Sequence, residues 1–445
     1  MAELNIAALG MFQSDPGETD AHLRAKQSGC PVSGLGAEFD PFSEDYLVNP
    51  YPFFERARKE EPIFYSPETD CWVVMNYDDI ISIFRDPDTF SAALARHPVT
   101  PLCPAAAQVR DELDIAIEPA LVDESPDTHR DHRRIFGDAF TPKRLDQMDS
   151  RIRVIVNNFI DGFIADGEAD LVGQMLYELP ALAMFIFLGA DDQDATMVKK
   201  LGSRRAIVNW GQPSQSEQVD MMGDMGRHWD FTKGLVMDAM ENPGDNYLGD
   251  MVRLHQDDPS LFTVNYLINV VFVMMFAGHE TTTQASANGA KHLLENRDQW
   301  EALCQNPELV PGAVEEMLRI DPSIFAWRRI ATKDTEIGGF SIPAGSKILM
   351  MLGSGNHDEA VFPKGEEFDH LRSNAKRHLA FGNGAHFCMG APLARLEMKI
   401  IFEELTRRLP HMNLAEGQDW EYVPTLIFRG VQKLRVEWDA DQSHG

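Results

Sequence analysis

The chain has 445 residues, 44% of them hydrophobic and 25% charged, which is enough apolar material for one large domain or two to three ordinary ones. A formal net charge of −30 excludes a protein built to grip nucleic-acid phosphates. The five cysteines, Cys30, Cys71, Cys103, Cys304 and Cys388, are widely spaced without a Cys-x-x-Cys pair, which argues against a zinc ribbon or a disulfide framework and for a reducing cytoplasm.

In chain order, the N-terminus lacks the basic and apolar regions of a secretory signal. Residues 1–37 carry Gly, Ser and Asp without periodicity and read as a flexible arm, with a single domain expected over 38–445. Tyr51–Lys59 and Asp78–Arg85 read as helices, flanking a hairpin of Ile63–Tyr65 and Trp72–Met75. Ser91 to Asp123 is proline-rich and reads as a long irregular segment with a short helix, of the kind that is usually functional. Helical periodicity then dominates from His129 to Leu318, with breaks at Pro142, Gly167, Gly189, Pro213 and Asn242-Pro-Gly. Strands are expected at Ile337–Ile342, Ile348–Met351 and Leu434–Trp438. The apolar runs Leu179–Ala190 and Val270–Gly278 are too short to span a bilayer, so no membrane contact is expected. The fold class is mainly α with a minor β-sheet portion.

Four constellations carry chemistry. Cys388 stands in Phe381-Gly-Asn-Gly384-Ala-His386-Phe-Cys388-Met-Gly390 and opens a helical stretch with Pro392 in its first turn. Glycines let the backbone approach a bulky flat partner, and a helix start favours a thiolate that a soft metal would take as a ligand. Leu267, Val270, Met274, Ala277, Gly278 and Thr281 recur at three- and four-residue steps, so an apolar helix face ends in Ala277-Gly-His-Glu280-Thr281. Glu316-Met-Leu-Arg319 sets a carboxylate and a guanidinium one turn apart. His129 and Arg133 share one helix face, and a lone Arg329 follows Asp321-Pro-Ser.

The order of these motifs resembles the cytochrome P-450 superfamily of heme-thiolate monooxygenases, over about residues 49–438. The cysteine segment matches that family's Phe-x-x-Gly-x-x-x-Cys-x-Gly pattern, with His386 where many members carry arginine. The resemblance implies heme b between the acid–threonine helix and the cysteine-loop helix, with Cys388 as axial ligand. It implies Ala277, Phe381 and Gly390 against the cofactor, and His129, Arg133, Arg329 and His386 facing its propionates. Glu280 and Thr281 become the proton-delivery pair, and Glu316 with Arg319 a structural lock. Val273, Phe276, Ala277, Phe325, Ile427 and Phe428 become the substrate pocket, suited to a small apolar or aromatic molecule.

The text at Gly355-Asn-His-Asp358 and from Arg429 to Trp438 is similar to the heme domain of self-sufficient bacterial members, which are fused to an FMN and 2Fe-2S reductase. The expected protein is therefore bacterial and cytoplasmic, using O2 and two electrons from a ferredoxin or FMN reductase, fused or separate. Arg133, Arg134, Lys143, Arg144, Arg372, Lys376 and Arg377 are the expected docking patch. Two alternatives are a peroxide-driven peroxygenase, against which Glu280 and Thr281 argue, and a heme-thiolate sensor without catalysis.

Overall fold

The strongest helical periodicity forms the longest helix. In the computed structural model, which describes residues 33–137 and 140–440, Val264–Glu295 is one helix of 32 residues. Thr263 caps it by accepting the Tyr266 N–H at 2.9 Å. Its neighbours are the helices Leu179–Leu188, Ala195–Trp210, Gln215–Glu241, Val310–Ile320 and Ala391–Arg408, so it is covered on almost every side. That surrounding explains why apolar residues such as Leu267, Val271, Met275 and Leu293 occupy several faces rather than one stripe.

The cysteine helix, Ala391–Arg408, packs on Pro142–Phe163 and Val310–Ile320 as well as on the central helix. Further helices at Tyr51–Glu60, Tyr77–Arg85 and Pro104–Glu112 fall where the sequence places them. The breaks at Gly167 and Gly189 are left-handed residues that end helices, at φ +74° and +81°.

The β portion is small and lies to one side. Strands β1 (Ile63–Ser66), β2 (Cys71–Val74), β3 (Phe90–Ser91), β5 (Trp327–Ala331) and β8 (Lys347–Met350) form a sheet in the order β1-β2-β8-β5-β3. Only the β2–β8 pair is parallel. Strands β4 (Glu168–Asp170), β9 (Asn413–Leu414) and β10 (Arg435–Glu437) make a second sheet. The run expected as one strand over Ile337–Ile342 is instead the turn of a hairpin, β6 (Thr335–Ile337) with β7 (Phe340–Ile342), because Gly338 and Gly339 both take positive φ.

Most of the expected N-terminal arm, residues 1–32, lies outside the described residues. Its last part is ordered: Ser33 Oγ accepts the Gly36 N–H at 3.0 Å and caps a short helix, Gly34–Glu38. Among the described residues no helix is long and apolar enough to cross a membrane. Cys71, Cys103, Cys304 and Cys388 are all free thiols.

Candidate active site

The loop before the cysteine helix is held in a tight shape. The Cys388 N–H donates to Phe381 O at 2.9 Å, closing the segment between them. Gly382 and Gly384 sit at φ +68° and +69°, and a Cβ on Gly384 would lie 2.4 Å from Phe84 O. Glycine is required there by both conformation and space. The loop therefore sets the Cys388 thiol on the wall of a cavity of about 290 Å³. Burial pushes the thiol pKa up, while the N–H groups of Gly390 and Ala391 and the Arg133 guanidinium oppose that shift. A cation bound in the cavity would complete its deprotonation.

Cations and imidazoles without a counter-anion surround the thiol. His129, Arg133, Arg329 and His386 all line the same cavity. The rings of His129 and His386 stack at 3.8 Å between centroids. Burial, then the nearby Arg133, lowers His129 to about 4; burial, then His129 itself, lowers His386 to about 3. Burial alone brings Arg329 down to about 10. The one carboxyl on the cavity wall, Glu397 of the cysteine helix, is 1% exposed with Oε2 unbonded, and burial pushes its pKa far up. A neutral acid cannot balance this charge, so the cavity is built for a guest that brings its own anionic groups.

The opposing wall is the central helix. Val273, Met274, Ala277, Gly278, Thr281, Thr282 and Ala285 line the cavity at helical spacing. The Thr281 hydroxyl donates to Ala277 O at 2.9 Å. Glu280, one residue earlier, is not on that wall, since consecutive helix positions are turned by about 100°. Its carboxylate faces the helix Ala195–Trp210, where Lys199 Nζ and Ser203 Oγ each lie 2.8 Å from Oε2. Gln284 Nε2 donates to Oε1 at 2.9 Å. Burial would raise this carboxyl, but Lys199 and His279 override it and hold Glu280 below the usual carboxylate range.

Part of the expected substrate pocket lies on this cavity. Val273 and Ala277 line the cavity, but Phe276, Phe325, Ile427 and Phe428 do not. These four belong to a separate apolar cluster with Trp210, whose ring lies 5.7 Å from Phe276 and 5.0 Å from Phe428. Phe276 and Phe325 each stand one residue from a wall position, Ala277 and Ile324, and the wall residues Ile324 and Trp327 pack against their cluster. Leu121, Val122, Ile324 and Trp327 complete the apolar lining instead.

Away from the cavity, Arg319 and Glu316 are both fully buried and doubly bonded, at 2.7 and 2.8 Å. Arg319 also donates to the carbonyls of Asn356, Gly365 and Glu367. Arg372, expected on a docking patch, instead donates to Glu316 Oε1 at 3.0 Å as a third member.

Comparison with known proteins decides what this arrangement is. The family model described as Cytochrome P-450 matches residues 227–419. The monooxygenase PikC of Streptomyces venezuelae is 31% identical over 430 residues, 95% of this chain and 99% of its own. The chain belongs to the cytochrome P-450 family. A P-450 heme domain of Tepidiphilus thermophilus superposes with a TM-score of 0.88 at 38% identity, over 92% of this chain and 98% of that one. An intact type IV self-sufficient P-450 monooxygenase gives 0.91 at 40% identity, over 94% of this chain. The chain spans only 55% of the length of that intact enzyme.

Proteins of this P-450 family are oxidoreductases that bind heme b. The residues present fit that group: a cavity-facing thiol, a cationic cluster short of two carboxylates, and an apolar wall. Sequence reasoning missed Lys199, Ser203, Gln284 and Glu397. Lys199 and Ser203 lie one turn apart on their helix, a spacing that carries no signal without knowledge of what faces it.

Proposed function

We propose that Cys388 Sγ is the permanent ligand of the heme iron, and that the protein inserts one atom of O2 into a small apolar or aromatic substrate. The observation that carries this is one cavity lined at once by the Cys388 thiol, the Thr281 hydroxyl and four cationic or imidazole groups without an anion. When bound, heme supplies the activation of dioxygen and the oxidising power. Arg133, Arg329, His129 and His386 would take its propionates by charge-assisted hydrogen bonds. Ala277, Phe381 and Gly390 would pack on its faces. Glu280 passes protons towards the cavity, and Thr281 Oγ turns from Ala277 O to hold a proton there. Leu121, Val122, Val273, Met274, Ile324 and Trp327 exclude water and favour an apolar substrate.

Two electrons come from a ferredoxin or FMN partner, fused or separate. The exposed Arg134, Lys143, Lys376 and Arg377 support docking of an acidic partner. The other three basic residues of the expected patch are used elsewhere: Arg133 on the cavity, Arg144 on Asp250, and Arg372 on Glu316.

The test is spectroscopic. The reduced protein with carbon monoxide should show the strongly red-shifted Soret band of thiolate ligation, and Cys388→His should move it to the imidazole position and abolish oxygenation. An unchanged band in that variant would remove Cys388 from the site. A panel of apolar and aromatic compounds should shift the spectrum towards high spin, whereas shifts confined to charged compounds would overturn the substrate class.

A further inference from the structure

An ion pair outside the cavity reaches the cysteine loop through Phe381. Arg395 stands in the second turn of the cysteine helix, and its Cζ lies 4.6 Å from the centre of the Phe381 ring. Phe381 lines the cavity, and its carbonyl accepts the Cys388 N–H at 2.9 Å. The guanidinium thus rests on a ring whose own backbone is bonded to the cysteine. Its charge is felt there. Burial raises the Cys388 thiol, and the Gly390 N–H, Arg133, the Ala391 N–H and Arg395 all oppose that rise.

The counter-ion of Arg395 is Glu315, on the helix Val310–Ile320 and only 5% exposed. Arg395 Nε donates to Oε1 at 2.7 Å and Nη2 to Oε2 at 3.0 Å, a two-pronged contact that fixes the guanidinium in one place. His378 also reaches this carboxylate, with Nε2 at 3.2 Å from Oε2. Its Nδ1 accepts the Ala380 N–H at 3.1 Å, so that nitrogen carries no proton and the ring is neutral. His378 therefore gives Glu315 a hydrogen bond and no charge. Burial would raise the Glu315 carboxyl, but His378 and Arg395 override it and hold it down to about 2. The carboxylate stays ionised and is balanced by Arg395.

We propose that Arg395 and Glu315 set the reduction potential of the heme iron through the cysteine loop, an inference that rests on the reading of Cys388 as the iron ligand. Reduction adds an electron to a centre already bound by a thiolate. A cation held near that thiolate favours the reduced form, and an anion opposes it. Arg395 supplies the cation, while Glu315 fixes its place and cancels part of its field. Both are positioning residues that act through Phe381 and Cys388.

The test is a spectroelectrochemical titration of the heme-loaded, substrate-free protein, with the reduced carbon monoxide spectrum recorded for every variant. Glu315→Gln keeps the shape of the side chain and deletes its charge. It should raise the ratio of reduced to oxidised protein at a fixed applied potential by roughly three- to tenfold, tenfold being about 59 mV for one electron. Arg395→Gln should lower that ratio by roughly the same factor, because the cation on the Phe381 ring is then gone whether or not Glu315 stays ionised. Arg395→Lys keeps the charge and should stay within about twofold of wild type.

The opposite signs are decisive, since a loosened loop would move Glu315→Gln and Arg395→Gln in the same direction. Shifts of one sign, or both variants within about twofold of wild type, would overturn the inference. Should Glu315→Gln take up no heme, Arg395→Gln decides alone: its side chain is 32% exposed and can be replaced without opening the core. An unchanged or raised ratio in that variant would overturn the pair. A thiolate-type carbon monoxide band in every variant with unmoved potentials would overturn this inference and leave Cys388 in place. Absence of that band from the wild-type protein would overturn both.

Discussion

Replacing Lys199 with methionine tests the buried ion pair that holds Glu280. The substitution keeps an unbranched apolar stem and deletes an ammonium 2.8 Å from Glu280, 3.1 Å from Thr283 Oγ and 3.3 Å from His279 Nδ1. Both charged partners are buried, so the carboxylate left behind cannot regain water. Breaking one side of such a pair costs roughly 3–5 kcal/mol. For 445 residues the entropy of unfolding is roughly 0.9 kcal/mol/K, so the midpoint of thermal unfolding should fall by about 3–5 °C. Without the ammonium, burial dominates and the Glu280 carboxyl moves above its unfolded value. A carboxyl raised by folding adds stability at low pH and loses it as pH rises through the folded value. The deficit against wild type should therefore shrink on acidification. Far-UV circular dichroism melts over a pH series measure both effects, and Lys199→Met with Glu280→Gln should recover most of the loss. A drop below about 1 °C, or a double variant no more stable than Lys199→Met alone, would refute the reasoning.

Thr281→Ala should keep the heme spectrum and substrate-induced shift while diverting electrons into hydrogen peroxide, read as product per NADPH consumed. Arg319→Met removes the bidentate partner of fully buried Glu316, which keeps Arg372 and the Asp369 N–H, and takes the Arg319 donors from the carbonyls of Asn356 and Gly365; it should cost roughly 3 kcal/mol in urea unfolding with no change in the Soret band of the folded fraction. Burial, then Lys199, lowers His279 to about 4, against 6.5 for an ordinary histidine. The unfolded chain then binds the extra proton between about pH 6.5 and 4, so stability falls as pH drops through that window, by up to about 1.4 kcal/mol per unit for this group. His279→Gln should flatten that dependence in urea titrations. Reduction by a separate ferredoxin should slow as salt rises and slow further in Arg134→Glu or Lys143→Glu, measured by stopped flow without change in substrate binding.

Much of the architecture was legible because it rests on local signals. The central helix, the hairpin at Ile63, the helix ends at Gly167 and Gly189, and the glycine-flanked cysteine loop all follow from periodicity, φ preference and spacing along the chain. The cavity wall followed in part, since Val273, Ala277 and Thr281 share a helix face. Phe276 and Phe325, which the family resemblance implied for the pocket, lie in the cluster around Trp210. Arg372 could not be read from its charge, because its side chain meets a buried carboxylate, Glu316, that lies 56 positions earlier.

The chain by itself determined the family. A thiol between obligatory glycines at a helix start, a small-residue acid–threonine segment and a Glu-x-x-Arg pair are each written within a few residues. What the acid of that segment faces was decided only by tertiary structure. Lys199 and Ser203 lie about 80 positions before Glu280, on another helix, whereas Gln284 and His279 meet its carboxylate from its own helix. No local pattern encodes which side chain of one helix meets which side chain of another. That pairing is set by helix packing, and with it go the burial and mutual charge that hold the carboxylate ionised.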